Sequence, residues 1–418
     1  MAFLKKINIY YISTLLFLFI NAGANFLSAN NIYWFLLTLF MIIVAASKKL
    51  IAVKELKPFI FFSLAYVGYV GIRDVFINRL DLDFLNSDIL FLFKFIFLSY
   101  FYCLLMKEKL VTYLVLVSVN LTVLSLFFYF FQVIGFGDYL YSFSNFLNLP
   151  NGSGMVEIGN FLVFSYSKFH TTRNSGFFWE PGAFACFLTV VLLLNLFVNN
   201  FKFDGKTKIL IIGLITTVST TGYLALFVIF FLWYRYRNPK INLWILVLIP
   251  LLIVLIVNIP FLGDKISKTV NGDMRTNIPK MINKEQHVAQ HYENKQVPLN
   301  RFSSMIVIYD TFESNLILGV SNKYDAILNK KYNVNISNGV FDFLAKFGLV
   351  GLIFLLYKYY KFCRFYLGRV ELVIYCIVIL LIIGTGETIL FFPYILIFLF
   401  MPFLQTNLTK RKGYPRNI

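Results

Sequence analysis

The chain has 418 residues, 59% of them hydrophobic and only 14% charged, with a mean hydropathy of +0.74. A soluble domain carries roughly a quarter charged residues, so this balance excludes an ordinary globular enzyme and points to a polytopic helical membrane protein. The net charge of +18 raises nucleic acid as a partner, but no stripe of basic residues interleaved with aromatics follows a soluble segment. Lys and Arg gather at the ends of apolar runs, as cytoplasmic loops require, and no nucleic acid is expected.

In chain order, runs of about twenty apolar residues read as helices, because lipid offers backbone groups no outside partner. The alternating ten-residue strands of a β-barrel are absent from the sequence. The N-terminus, MAFLKK and then Ile7 to Ala24, has the basic flank and apolar core of a signal sequence and is read as an uncleaved anchor. Twelve spans fit an all-α fold. The first five are Ile7–Ala24, Ile32–Ala46, about Pro58–Ile72, Ile89–Met106 and about Val111–Phe131. Arg73 and Arg79 fall in an outer loop after the third. A long outer segment, 135–179, precedes the sixth span, Pro181–Val198.

The next apolar run, Ile209–Trp233, is basic at both ends, with Lys206 and Lys208 before it and Arg235 and Arg237 after it. Two short spans hinged at Ser219-Thr220-Thr221-Gly222 keep both clusters inside. The ninth span is Ile241–Leu262, followed by a large outer loop over 263–338. The last three are Val340–Tyr357, Leu372–Gly384 and Ile389–Leu404. Basic clusters then mark every inner turn, and both termini are cytoplasmic. The chain reads as one integral membrane domain over 1–418, with its polar chemistry in the spans or the two outer segments.

The first outer segment is dense in aromatic and small polar residues, YLYSFSNFLNLPNGSG, and its turn residues predict short interfacial helices. Its rings suit either an aromatic belt at headgroup level or stacking on sugars. It ends in TTRNSGFFWEPGAF, where Pro181 suits a first helical position and Glu180 falls at the positive end of the helix dipole. Helix capping accounts for Glu180 without catalysis. Arg173, by contrast, has no evident structural need in its loop, and His170 beside it is a candidate base. A carboxylate and a guanidinium bracketing an aromatic pair could bind a polar headgroup.

In the large loop, RFSSMIVIYDTFESNLILGV spaces Met305, Ile308, Tyr309 and Phe312 as one face of an amphipathic helix that lies back on the spans. Arg301 at its start faces either lipid phosphates or a bound pyrophosphate, and Arg275 lies earlier in the same loop. His287 and His291 are four apart but lack the intervening Glu of a zinc-protease helix. Cys103, Cys186, Cys363 and Cys376 lie in or near apolar runs without a C-x-x-C pair. Neither metal nor disulfide framework is expected. Lys94, Asp342, Lys346 and Glu387 fall within or beside spans, where each costs about 2.5–3.5 kcal/mol if central. Structural pairing is the expectation for all of them, with Asp342 and Lys346 one helical turn apart.

These residues together resemble the O-antigen polymerase and ligase superfamily of bacterial inner-membrane glycosyltransferases. Arg173, Gly176, Glu180, Pro181 and Gly182 match its R-x-x-G…E-P-G pattern, and Thr217, Ser219 and Gly222 its T-x-S-x-x-G pattern. NLILGVS and SNGVFDFLAKFGLVG resemble the exit from its large periplasmic loop. Each motif is loose, but their order along a twelve-span chain is more specific. The ligase branch places a His where this chain has Ser337, and that departure favours a polymerase.

The resemblance implies a GT-C-like architecture and undecaprenyl-pyrophosphate-linked oligosaccharides as periplasmic substrates. It implies inverting transfer of the growing chain to the non-reducing end of a new repeat unit, without cofactor or metal. Membrane lipids, a chain-length regulator and a flippase of the same pathway are the implied partners. Arg173 and Arg301 are then assigned to the pyrophosphate, with Arg275 a weaker third. Glu180 would orient an arginine or the acceptor hydroxyl. Asn338 would bond sugar or phosphate, with His170 and Ser219 as further substrate contacts. A ligase to lipid A core and a lipid-linked oligosaccharide flippase are the alternatives.

Overall fold

The computed structural model describes residues 8–147, 157–238, 278–291 and 295–412, so the ninth span and Arg275 lie outside the described residues. Helices dominate. In chain order they are α1 (Ile9–Asn21), α2 (Asn31–Ser47) and α3 (Val53–Arg73). Next come α4, built of Leu82–Phe91 and Phe97–Met106 around a wide turn at Leu92–Ile96, then α5 (Leu110–Phe131) and α6 (Gly137–Leu147). Following these are α7 (Pro181–Val198), α8 (Gly205–Thr216), α9 (Thr220–Arg237) and α10 (Ile278–Glu285). The rest are α11 (Arg301–Phe312), α12 (Asp325–Tyr332), α13 (Gly339–Leu367), α14 (Val370–Gly386) and α15 (Pro393–Lys412).

Among the described residues, four helical stretches are long and apolar enough to cross a membrane: Val53–Asn78, Leu82–Leu147, Pro181–Val198 and Gly339–Leu367. Shorter apolar helices accompany them. Large side chains such as Phe61, Leu64 and Phe127 stand exposed, an arrangement suited to lipid rather than water. The chain is a helical membrane protein. The centre of the bundle is α7, in which every residue from Pro181 to Phe197 is buried. It packs against α5, α8, α9 and α14, while α13 lies against α14 and α15.

The hinge inside the doubly basic run is present. Helix α8 stops at Thr216, Val218 takes a positive φ of 47°, and Ser219 caps α9 by accepting the Gly222 N–H. Pro181 is the first residue of α7, as its lack of an N–H predicts. The amphipathic helix begins at Arg301, but its face is rotated from the expected one. Ser303, Ser304, Val307, Ile308 and Phe312 are buried, and Tyr309 is exposed. Asn300 fixes that start by accepting the N–H groups of Phe302 and Ser303.

Arg73 corrects a sequence expectation. It is the last residue of α3, not a loop residue, and it is fully buried. Its guanidinium pairs with buried Asp88 and donates to the Lys346 carbonyl at 2.7 Å. A counter-ion one helix away makes the buried charge tolerable, and that partner lay outside the pattern read from sequence. The expected pairing of Asp342 with Lys346 is present at 2.9 Å, and Lys94 donates to Asn31 Oδ1 at 2.8 Å. The loop before α12 crosses α13 at paired glycines. Gly319 and Gly348 both take positive φ, and a Cβ on Gly319 would lie 2.4 Å from the Gly348 nitrogen.

The first outer segment folds as α6 and a small hairpin, β1 (Ile158–Asn160) antiparallel to β2 (Ser165–Ser167). In the second, β3 (Val297–Pro298) runs parallel to β4 (Val334–Asn335), which closes the base of that loop beside α11.

Candidate functional site

Arg173 sits in a loop that is stitched to the bundle at several points. Asn174 accepts from Ser125 at 2.8 Å and donates to Thr216 Oγ1 at 3.0 Å, tying the loop to α5 and α8. Gln132, in the wide turn at the end of α5, donates its amide to the carbonyls of His170, Thr171 and Arg173 at 3.1, 2.8 and 3.0 Å. Sequence reading passed over Gln132, and its helical spacing alone gave no signal. Arg173 itself donates Nε to the Thr217 carbonyl at 3.0 Å, at the hinge between α8 and α9. Its terminal nitrogens have no hydrogen-bond partner among the described residues.

Arg301 is held in the same manner from the other side. Its Nε donates to the Gly386 carbonyl at 2.6 Å, and Nη2 meets the Glu387 carboxyl at 3.0 Å. Two partners at the end of α14 thus hold a guanidinium whose side chain is 34% exposed. Asn338 donates to the Arg301 carbonyl at 3.1 Å while its Oδ1 caps α13 through the Phe341 N–H. Both ends of that amide are occupied, so Asn338 sets the position of Arg301. Ser219 is buried as the α9 cap.

Glu180 has the extended backbone of an N-cap residue, φ −153° and ψ 159°, but its side chain makes no cap hydrogen bond. The capping explanation therefore fails. Glu is longer than the side chains that cap well, and a better partner is at hand. Its carboxylate accepts from Trp179 Nε1 at 3.2 Å and is hydrogen-bonded to the Glu387 carboxyl. Glu387, expected as a structurally paired charge, is paired as expected, with Arg301, and that pairing places it in the candidate site. It follows Gly386 at the end of α14, is 5% exposed, and touches Gly182, where a Cβ would come within 2.0 Å of Oε1.

Four helix N-termini meet around this point. Gly182 of α7 and Gly339 of α13 contact Glu387, Thr221 of α9 contacts Gly386, and Arg301 of α11 bonds both residues. A helix start carries the positive end of the helix dipole, which has the same sign as the guanidiniums. Burial pushes the Glu387 carboxyl well above the usual range, reinforced by neighbouring Glu180, and Arg301 only partly offsets this. For Glu180 burial acts upward too, but the bond from Glu387 and the charges of Arg301 and His170 outweigh it and hold it below the usual range. The two shifts run in opposite directions: burial and Glu180 drive Glu387 toward its neutral form, while its neighbours favour the ionised form of Glu180.

Arg173 is lowered by burial and by the like charge of Arg301, against the pull of Glu180 and Glu387. His170 is lowered by burial and by Arg173, against Glu180. Two guanidiniums and one carboxylate leave a net positive site suited to an anionic group. Arg173, Glu180 and Arg301 are brought together here, and His170 lies at the edge. Asn338 and Ser219 lie beneath as structural supports. Among the described residues, no group of His, Cys, Asp and Glu could hold a metal ion.

Residues 208–356 match the family model described as O-antigen ligase. The match takes in Thr217, Ser219, Arg301 and Asn338 and ends before Glu387, and it begins after Arg173 and Glu180. It supports the O-antigen polymerase and ligase superfamily without separating the two activities. No curated protein and no solved structure matches the chain.

Proposed function

We propose that the protein is a polymerase of lipid-linked oligosaccharide repeat units, acting at the periplasmic face of a bacterial inner membrane. The observation that carries this reading is the convergence of Arg173 and Arg301 on the Glu180–Glu387 pair at one end of the bundle. The substrate would be an oligosaccharide on undecaprenyl pyrophosphate, with twelve membrane crossings and both termini cytoplasmic. In the transfer, the non-reducing-end hydroxyl of one lipid-linked unit attacks the anomeric carbon of the growing chain. The bond from that carbon to the pyrophosphate oxygen breaks, and its electron pair leaves with the pyrophosphate. Glu180 takes the hydroxyl proton, and attack opposite the leaving group inverts the centre.

The physical support is direct. A leaving pyrophosphate needs fixed cationic donors, and guanidinium forks held by their Nε atoms present their other N–H groups without further ordering. Preorganised charge of this kind is usually the largest contribution to catalysis. Ser337, where the ligase branch has a His, donates Oγ to the Leu299 carbonyl at 2.7 Å and supplies no base. A ligase remains the second reading, because the matched family carries that description.

A deletion strain separates the readings. Loss of a polymerase leaves single-repeat surface glycan without a ladder. Ligase loss leaves polymer on the carrier lipid, and flippase loss removes even the single repeat. The polymerase reading predicts the first pattern, and either of the others overturns it.

A further inference from the structure

Glu387 carries no role in the resemblance and lies outside the matched segment, and its surroundings explain what a structural ion pair would not. A carboxyl that served only as counter-ion to Arg301 would not also be set against a second carboxyl. Nor would it need glycine at the start of α7, where a Cβ would meet its Oε1. Here the start of α7 closes on the Glu387 carboxyl at Gly182, and the start of α13 closes on the Glu387 main-chain carbonyl at Gly339. The groups facing it are Glu180 from the start of α7, Arg301 from α11, Cys186 within α7 and Tyr394 of α15, with Arg173 beyond Glu180. One carboxyl oxygen accepts from Arg301 at 3.0 Å, and the group is also bonded to Glu180.

We propose that Glu387 is a positioning residue for the transfer reaction. As a neutral acid it donates its proton to the Glu180 carboxylate while its carbonyl oxygen accepts from Arg301. One side chain thereby sets the base and the pyrophosphate clamp at a fixed separation. The inference rests on the proposed transfer reaction for its kinetic consequences but not for its chemistry. Glutamine reproduces the neutral acid, since its amide N–H₂ donates to Glu180 and its carbonyl accepts from Arg301. Alanine and aspartate do not reproduce it, because one removes both bonds and the other is too short to span them.

The roles of the two carboxyls are therefore asymmetric. Glu387→Gln keeps the reaction within about threefold of wild type, whereas Glu180→Gln abolishes it, because an amide cannot accept the hydroxyl proton. Glu387→Ala and Glu387→Asp lose on the order of 10²-fold, the scale of one misplaced electrostatic donor. The pH profile gives a further readout. As pH rises, wild-type Glu387 loses its proton, places a second negative charge beside Glu180 and activity falls. In Glu387→Gln that alkaline decline is absent.

The test uses full-length protein in nanodiscs with a lipid-linked repeat unit as substrate. It is paired with infrared difference spectra of wild type against Glu387→Gln at pH 7. The proposal expects a protonated-carboxyl band that is lost in Glu387→Gln, together with an active Glu387→Gln and an inactive Glu180→Gln. Identical bands, or the reverse order of activities, overturn it. Should wild type form no product, the polymerase reading fails while the infrared comparison still decides the protonation of Glu387.

Discussion

Arg173 and Arg301 are each fixed through Nε to a main-chain carbonyl, of Thr217 and of Gly386. That geometry leaves the terminal N–H groups of Arg173 for a ligand, and those of Arg301 that Glu387 does not engage. A lysine has one nitrogen for both tasks and no fork to pre-orient it. Arg173→Lys is therefore predicted to lower kcat about tenfold or more at unchanged membrane abundance, and Arg173→Ala to lower it further. Product formation by purified variants measures this, and a lysine variant at wild-type rate would show that charge alone suffices. Residue types and local order made Arg173, Glu180 and Arg301 legible in the sequence. Glu387 was not legible as a site residue, because its partner Arg301 is 86 positions away and a lone carboxylate near an apolar run reads as an interior pair.

At the scale of elements, close approach of helix starts does the positioning. Gly182 brings α7 against Glu387, and Gly182→Ala would place a Cβ within 2.0 Å of a carboxyl oxygen. The methyl suits the helix, so folding is retained, while the displaced carboxyl loses its bonds to Arg301 and Glu180. The expected outcome is normal membrane abundance with activity reduced on the order of 10²-fold. Loss of abundance instead would assign Gly182 to packing. Gln132 acts on the loop, and Gln132→Leu removes three donations to its carbonyls. That variant is predicted to weaken kcat/KM about tenfold through a looser Arg173, measurable by the same assay.

Element boundaries were readable where a single residue decides them. Pro181 starts α7, and the polar stretch at Ser219 splits the doubly basic run into α8 and α9. The continuation of α3 to Arg73 was not readable, since the charge appeared to end a span until Asp88 neutralised it across the helix gap. Nor was the break at Gly348, which depends on Gly319 crossing from a distant loop. Tertiary partners decide such features, and local periodicity does not register them.

For the molecule as a whole, α7 is the buried axis, and its start meets the starts of α9, α11 and α13 and the end of α14. The loop before α7 brings Arg173 to that end, and the start of α11 brings Arg301. Exposed apolar side chains on the helices are thus separate from the cluster of two guanidiniums and two carboxyls. A substrate with a hydrocarbon tail and an anionic link to a sugar matches both surfaces at once. The most direct test of this account is elongation of a purified lipid-linked repeat unit by the purified full-length protein and its Arg301→Ala variant. The account predicts a glycan ladder on the carrier lipid with wild type, and a rate lower by about 10²–10³-fold with Arg301→Ala at equal protein. A ladder of equal rate and length from both proteins would contradict it.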